Sequence, residues 1–292
     1  MSLPFFSCRY DAWTSALDNA TEFPYFIRVG PANSDISKVY GSFMRRMGWK
    51  RIAVVTDDDA YTSDFGQGLA NDMNEHGGTV LYHGVFPTLP TQAVVDKQGR
   101  LHSDGVKNIS NHLLHARMKN TRVIFVVAKG DAGRIALYSA LEVTGFTRQG
   151  YAIIDGDMLD ISNDLIASGK LEINGIVHMA VGEPHTCKSL AGCPHKACGP
   201  TCAAPSRFMN QAYDAVYTLA KALAPQFRDG GRSYLAGVQE SRWAAMAAIR
   251  STSLSFDIAT SGLLEFTGDG SNNRDKVRFY THDHILVSEL YT

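Results

Sequence analysis

Hydrophobic residues recur with two alternating periods along the first part of the chain. Between Ser34 and Gly48 they are spaced three and four residues apart, which predicts an amphipathic helix that Ser34 can cap and Gly48 can end. Residues 51–56 follow at once; this run is rich in β-branched residues and stops at three aspartates, as a buried strand does where its loop meets water. A helix therefore leads directly into a strand.

The same alternation continues as far as residue 181. Further helices are predicted over residues 63–76, 106–119 and 131–144, and further strands over residues 79–86, 122–128, 151–154 and 175–181. Strands that are apolar on both faces and separated by helices indicate a parallel sheet covered on both sides. The predicted fold class is α/β with a doubly wound parallel sheet, whose central strands bury Ile52, Val54, Val123, Phe125 and Ile153.

The rest of the chain departs from this pattern. Two helices are predicted near residues 208–223 and 243–249, and short strands follow from residue 262 to the end. The 28 basic and 29 acidic residues nearly balance and form no long runs, which argues against a nucleic-acid partner. The longest apolar runs, such as residues 123–128, fall far short of the roughly 20 residues that span a bilayer. No transmembrane span is expected in this chain.

Signatures of common enzymes are missing from the sequence. Gly66-Gln67-Gly68 lacks the third glycine of a dinucleotide loop, and no nucleophile elbow or paired-histidine zinc motif is present. The sequence therefore predicts neither a catalytic residue nor a cofactor. Asp57, Asp58 and Asp59 follow a strand and leave two interpretations open, a divalent-cation site or a solvated acidic loop.

Several segments, in order, resemble one family over nearly the whole chain. They are FPYFIRV at 23–29, MGWKRIAVV at 47–55, FGQGLA at 65–70, YAIIDG at 151–156, AYDAVY at 212–217 and SGLLEF at 261–266. The series is similar to the ligand-binding region shared by natriuretic peptide receptors, metabotropic GABA and glutamate receptors, and bacterial branched-chain amino-acid-binding proteins. The resemblance implies a two-lobed, type I periplasmic-binding-protein-like fold in which the chain crosses between lobes three times.

The resemblance also implies where each lobe lies in the sequence. Lobe 1 is expected to hold residues 1–30 and 203–262, lobe 2 residues 31–182 and 263–292, and a cysteine-rich insertion residues 183–205. The first strands and helices of lobe 1 in this family are expected to precede Met1, so that lobe 1 is incomplete in this chain. The family's receptors pair through lobe 1, which makes a homodimer through that lobe an expectation.

Ligand-binding residues are inferred from the same resemblance. Ser7, Arg9 and Tyr10 align with the lobe 1 loop that holds a ligand carboxylate, and Tyr61 or Phe65 with the aromatic residue of lobe 2 that covers the ligand. Asp155 stands where some amino-acid receptors place a carboxylate against the ligand ammonium. Three structural interpretations compete with these: an exposed arginine for Arg9, core packing for Phe65 and helix capping for Asp155.

The cysteines suggest an oxidising compartment. Four of the five crowd into one histidine-containing segment and are disulfide candidates: Cys187, Cys193, Cys198 and Cys202. His185 and His195 lie among them, so a zinc site is the alternative, although the spacing lacks the usual Cys-x2-Cys knuckles. Asn19 and Asn108 head N-glycosylation acceptor patterns and point the same way.

Taken together, these features predict an extracellular or membrane-attached, non-enzymatic ligand-binding module of a receptor. It would bind a small, polar, amino-acid-like molecule in an interlobe cleft and signal by lobe closure. The alternative function is a metal-dependent hydrolase or a zinc-stabilised interaction domain centred on the cysteine and histidine segment. Neither function involves a nucleic acid.

Overall fold

The computed structural model describes most of the α/β segment and shorter stretches elsewhere. Described are residues 5–7, 14–19, 21–24, 26–28, 32–89, 103–156, 176–181, 215–222, 224, 247–249, 251, 265–266, 272–273, 276–281 and 286–291. The chain divides into two compact units. The first comprises Met1–Ala32, Gly182–Lys276 and Thr292, and the second comprises Asn33–Val181 and Val277–Tyr291.

Helices and strands alternate through the second unit. The strands, in chain order through both units, are β1 (Phe5–Ser7), β2 (Phe26–Arg28), β3 (Arg51–Asp57), β4 (Thr79–Phe86), β5 (Val123–Val127), β6 (Ala152–Asp155), β7 (Ile176–Val181), β8 (Glu265–Phe266), β9 (Asn272–Asn273), β10 (Lys276–Thr281) and β11 (Leu286–Tyr291). The helices of the second unit are α1 (Asn33–Arg46), α2 (Ala60–Glu75), α3 (Ser103–Met118) and α4 (Gly130–Val143).

A seven-stranded sheet in the order β11-β10-β7-β6-β5-β3-β4 forms the centre of the second unit. Strands β4, β3, β5, β6 and β7 pair in parallel, and β10 joins β7 antiparallel. Ile52 lies opposite Val123 and Val54 opposite Phe125 in this register. All five residues predicted to be buried on central strands, the fifth being Ile153, are buried. The prediction of a parallel, doubly wound sheet is confirmed.

The sheet separates two pairs of helices. Gly66 of α2 lies against Val54 and Thr56 on one face of β3. Ala53 and Val55, which point to the other face, belong to an apolar core with residues of α3 and α4. The crossovers β3-α2-β4 and β4-α3-β5 step across the sheet in opposite directions, so crossovers of one hand place α2 and α3 on opposite faces, as the right-handed rule for parallel strands requires.

The four helices of the second unit start one to three residues earlier than predicted, as α2 and α1 illustrate. Helix α2 begins at Ala60, three residues before the predicted start, because the Asp59 side chain caps it by accepting a hydrogen bond from Tyr61 N–H (3.0 Å). Helix α1 begins at Asn33, which places Ser34 inside the first turn, so the prediction that Ser34 caps the helix is wrong. The periodicity of apolar residues located both helices, but the cap residue sets the first turn.

All four helices α1 to α4 are followed by a residue in the left-handed region. These residues are Gly48, Gly77, Asn120 and Gly145. After α1, Gly48 N–H donates to Arg45 O (3.0 Å) and Trp49 N–H donates to Met44 O (2.8 Å), the two bonds of a Schellman motif. Glycine and asparagine adopt positive φ with the least strain, so the predicted end of α1 at Gly48 reflects local backbone chemistry.

The described part of the first unit contains a parallel pair, β1 and β2, and helical residues 215–222 and 247–249. Ile27, Ala222 and Ile249 form a small core with Leu219 packed against it. Arg28 at the end of β2 is fully buried, and its guanidinium Nη2 donates to Thr14 O (3.0 Å). Strands β8 and β9 form a separate antiparallel pair.

Candidate functional site

Two of the predicted ligand residues lie at the end of the sheet where the parallel strands finish. Tyr61 follows β3 in the first turn of α2, and Asp155 is the last residue of β6. Open α/β sheets bind ligands at this end, which we call the carboxyl edge. Strand β5 lies between β3 and β6, so the edge brings together residues that are far apart in the chain.

A short turn positions Tyr61. The Asp59 side chain accepts a hydrogen bond from Tyr61 N–H (3.0 Å), and the Asn33 side-chain amide donates one to Tyr61 O (3.0 Å). The side chain of Tyr61 is 5% exposed. Both backbone polar groups of Tyr61 therefore have hydrogen-bond partners, which fixes the position of the backbone that carries its ring.

Phe65, one turn further along α2, is fully buried. Its ring makes edge-on contacts with Tyr40 (centroids 5.4 Å apart) and Phe125 (5.3 Å), and it lies 6.3 Å from the Tyr61 ring. Such contacts between rings add to the stabilisation that burial provides. Phe65 belongs to the core beneath Tyr61, the packing interpretation that the sequence left open beside ligand contact.

Asp155 is held by two tyrosines that the sequence analysis did not single out. Its side chain is 2% exposed, and its Oδ2 accepts a short hydrogen bond from the Tyr138 hydroxyl. The Tyr40 hydroxyl donates to the Asp155 carbonyl oxygen (2.8 Å). Tyr40 lies 115 positions away from Asp155 in the chain, so no local pattern could have indicated the pair.

These contacts join the predicted residues of the second unit into one cluster. The rings of Tyr61, Phe65 and Tyr40 contact one another in that order, and hydrogen bonds then link Tyr40 to Asp155 and Asp155 to Tyr138. We call this set the tyrosine cluster. It places one aromatic side chain and one buried carboxylate at the carboxyl edge and connects them through residues of α1, α2 and α4.

The three consecutive aspartates, Asp57 at the end of β3 and Asp58 and Asp59 after it, accept hydrogen bonds from nearby residues. Asp57 is buried; its Oδ2 accepts from Lys129 N–H (2.7 Å) and its Oδ1 accepts a short bond from the Thr62 hydroxyl. Burial raises the pKa of Asp57 above its usual value, despite the opposing hydrogen bonds from Thr62 and Lys129. The loops after β3 and β5 are therefore tied together by one buried carboxyl group.

The carboxylates of the other two aspartates, Asp58 and Asp59, accept hydrogen bonds from Thr88 and Lys129. Asp58 Oδ1 accepts from the hydroxyl (2.6 Å) and N–H (2.7 Å) of Thr88, and these bonds lower the pKa of Asp58. The Lys129 ammonium donates to Asp59 Oδ2 (2.7 Å). In the part of the chain that is described, no group of three or more histidine, cysteine, aspartate or glutamate residues could hold a metal ion.

The other predicted site residues are described only in part or not at all. Ser7 ends β1, opposite Arg28 of β2, with its backbone alone described. Arg9, Tyr10 and the whole cysteine segment, residues 183–205, lie outside the described residues. The disulfide and zinc interpretations both stay predictions.

The two predicted glycosylation sites lie in different settings. Asn19 is exposed, and its Oδ1 accepts from Thr21 N–H (3.1 Å) in an Asx turn. Asn108 is exposed on α3, where the next residue, Ile109, is fully buried. Neither observation tests whether Asn19 or Asn108 is glycosylated, so glycosylation stays a prediction. None of the helices within the described ranges is both long and apolar enough to cross a membrane.

Comparison with known proteins gives one family and one fold. Residues 1–274 match the model of the receptor family ligand binding region. Among solved structures, the chain is similar to an ABC transporter substrate-binding protein from Desulfitobacterium hafniense, with a TM-score of 0.62 and 15% identity. That match covers 95% of this chain and 71% of the other. Among curated proteins, none matches significantly.

The structural similarity, at this low identity, establishes the fold as that of a type I periplasmic binding protein, in agreement with the prediction. The family match covers most of the chain and agrees with the order of segments on which the resemblance was based. The chain belongs to the receptor family ligand binding region.

Proposed function

We propose that this protein binds a small, polar, amino-acid-like molecule in a cleft between its two units and signals by closing them around it. The observation that carries the proposal is the tyrosine cluster, which links Tyr61 to Asp155 through Phe65 and Tyr40 at the carboxyl edge of a sheet in a ligand-binding family. An aromatic side chain and a carboxylate at the same edge of the sheet suit a ligand that carries an ammonium group.

Each residue of the cluster has a separate part in this proposal. Tyr61 covers the ligand, and Phe65 acts through Tyr61 by supporting its ring from the core. Asp155 accepts hydrogen bonds from the ligand ammonium, while Tyr138 and Tyr40 fix the position of its carboxylate and its backbone. A carboxylate already oriented by a hydroxyl group does not have to be ordered when the ligand arrives, which favours affinity.

The first unit supplies the other side of the proposed cleft. Ser7, Arg9 and Tyr10 hold the ligand carboxylate in this proposal, with Arg9 suited to bidentate binding of that group. The proposal also includes an extracellular location, pairing of two copies through the first unit, and no catalysed reaction. It is supported by the family match, since the family is defined by ligand binding.

Isothermal titration calorimetry with individual amino acids and small amines tests the ligand class directly. For a ligand found in this way, Asp155→Ala is expected to weaken binding by about 1.5 to 3 kcal/mol, the range for a hydrogen bond to a charged group. Glu142→Ala is the matched control, because Glu142 is an exposed carboxylate of the same unit at the end of α4.

Two results would count against the proposed site. If Asp155→Ala leaves both the ligand affinity and the thermal midpoint of the protein unchanged, Asp155 does not contact the ligand. Equal losses in Asp155→Ala and Glu142→Ala would indicate a general effect of charge rather than a contact. Failure of every amino acid and amine to bind the natural full-length protein would exclude the proposed ligand class.

A further inference from the structure

Helix α3 brings two histidines against one tyrosine of strand β4. The ring of Tyr82 lies 6.2 Å from the ring of His112 and 6.0 Å from the ring of His115, measured between centroids. Both histidines belong to α3, and residues three positions apart lie on the same side of a helix. The two imidazole rings are therefore neighbours, and we call His112 and His115 the histidine pair.

Gly84 leaves the space that two of these rings occupy. A Cβ added at Gly84 would lie 2.6 Å from Tyr82 Cε1 and 2.7 Å from His112 Nδ1, closer than real side chains approach. Gly84 follows Tyr82 by two positions on β4, so it faces the same side of the sheet. A glycine inside a strand commonly marks a place where another group approaches closely. This part of β4 is thus shaped around the Tyr82 and His112 rings.

A hydrogen bond to Tyr82 orients the His112 ring. The Tyr82 hydroxyl oxygen lies 2.7 Å from His112 Nδ1. When Nδ1 carries the proton, it donates to this oxygen, and Nε2 keeps its lone pair. Histidines that bind metals use this arrangement, in which one ring nitrogen binds the ion and the other donates to a fixed acceptor. Burial raises the pKa of Tyr82, so the hydroxyl stays protonated and orients the histidine without being a ligand itself.

The protonation state of His112 also suits a metal ligand. Burial lowers the pKa of His112, and the neighbouring His115 lowers it further. The neutral imidazole, which is the form that binds metals, therefore predominates at neutral pH. His112 is half-buried, whereas His115 is exposed. The His115 ring can therefore turn to share an ion with His112 without disturbing the core.

We propose that the histidine pair binds a divalent transition-metal ion such as zinc, nickel or copper. Each histidine supplies one nitrogen and water fills the other positions, since the described residues contain no group of three or more histidine, cysteine or acidic ligands. Structural zinc sites use four protein ligands, so this open pair binds its ion reversibly. Imidazole suits these ions, whereas calcium and magnesium prefer oxygen ligands. The site is separate from the cysteine segment and does not depend on the function proposed above.

Nuclear magnetic resonance of the full chain, with nitrogen-labelled histidine and zinc chloride as the probe, tests this site separately from any other. The ring signals of the pair are assigned by their absence from the spectra of His112→Gln and His115→Gln. We expect zinc to shift both signals along one saturation curve. Each single substitution should weaken zinc binding at the remaining histidine by roughly 100-fold, because the second ligand of a linked pair acts at high effective concentration.

Tyr82→Phe tests the part of the hydroxyl group. It keeps the ring and removes the acceptor for His112 Nδ1, so we expect the affinity of the pair for zinc to fall about tenfold. Asn111→Gln is the matched control, because Asn111 is an exposed polar residue of α3 next to His112. We expect it to leave the zinc response of both signals unchanged. Calcium chloride is the control ion and should shift neither signal.

Several results would overturn the proposal. Zinc that shifts neither signal, or only one, shows that the two histidines do not share an ion. A response of His115 that survives in His112→Gln shows binding to single histidines, and equal shifts with calcium show a general effect of ions. Full zinc affinity in Tyr82→Phe overturns the part assigned to the hydroxyl. If His112→Gln does not melt cooperatively, His115→Gln decides by the response of the His112 signal.

Discussion

Two helical layers cover the sheet of the second unit. Both bury apolar side chains, but α1 and α2 add directional contacts with each other. On one face, α3 and α4 pack through an aliphatic core that includes Leu113, Leu137 and Leu141. On the other, α1 and α2 meet through small and polar groups, among them Ser37, Gly41 and a salt bridge between Asp72 and Arg45.

The two kinds of contact have different effects: apolar burial mainly stabilises the helices, whereas directional contacts fix their positions. Apolar packing is strong but not directional, so it fixes how firmly a helix is held more than the exact register in which it sits. Hydrogen bonds and close approaches at glycine are directional and fail when a helix shifts by a fraction of a turn. The layer of α1 and α2 carries Tyr61, which the proposed function requires at a defined position. Within this layer, the Asn33 amide bonds to Tyr61 O and the Tyr40 hydroxyl bonds to Asp155 O.

The largest effect is expected in the aliphatic layer. Leu113→Ala removes a fully buried side chain of α3, and we expect it to lower the free energy of unfolding by about 2 to 5 kcal/mol. Leu114→Ala is the matched control, because Leu114, the next residue in the chain, is 43% exposed. We expect it to change the free energy of unfolding by no more than about 0.5 kcal/mol. Urea denaturation of both variants measures the contrast. Equal losses would show that this layer does not rely on buried apolar packing.

A smaller effect is expected where α1 passes α2. A Cβ added at Gly41 would overlap the carboxylate of Asp72 and approach Arg45 Nη1 to 3.1 Å. We therefore expect Gly41→Ala to destabilise the protein by about 1 to 3 kcal/mol through overpacking. In an Asp72→Ala background the atom that obstructs the new methyl group is gone, so the same substitution should cost less. A double-mutant cycle measures this coupling, and strict additivity would contradict the close approach.

The smallest effect is a dependence of stability on pH that has opposite signs at neighbouring residues. The pKa of Asp57 is raised by burial, so the folded state retains a proton that the unfolded state loses above pH 3.8. The contribution of Asp57 to stability is therefore largest below pH 3.8 and declines as the pH rises through the folded pKa. Asp57→Asn should remove that decline.

Asp58 provides the control for this prediction. Its pKa is lowered by the bonds from Thr88, so its contribution is present above pH 3.8 and is lost as the pH falls through its folded pKa. Urea denaturation across acidic pH, with Asp57→Asn and Asp58→Asn compared with the unsubstituted protein, shows whether the two differences change in opposite directions. The same direction for both would contradict the burial of Asp57 as the cause.

Much of the second unit was predictable because the relevant signals are local. The period of apolar residues located the four helices and the strands from β3 to β7 within about three residues. Gly48 marked the end of α1 because its conformational freedom is a property of one residue. The order of family-like segments indicated the fold and the family, and both comparisons agree.

The candidate site was predictable only in part. The sequence placed Tyr61 and Asp155 at strand ends, but it gave no sign that Tyr40 and Tyr138 hold Asp155 or that Asn33 holds the Tyr61 turn. The start of α2 was also missed, since Asp59 was considered as part of an acidic loop and not as a cap. Asp59 differs from the other cases, because a capping signal was present in the sequence beside the helix.

The sequence by itself determined which segments form helices and strands, which of their faces are apolar, and to which family the chain is similar. Those properties depend on the order of residues within one or two turns, where the chain geometry is nearly fixed. Only the tertiary structure decided which side chains meet across 28 or 115 positions. Such meetings depend on how helices cross the sheet and how closely they approach, and therefore on the packing of the whole unit rather than on any local pattern.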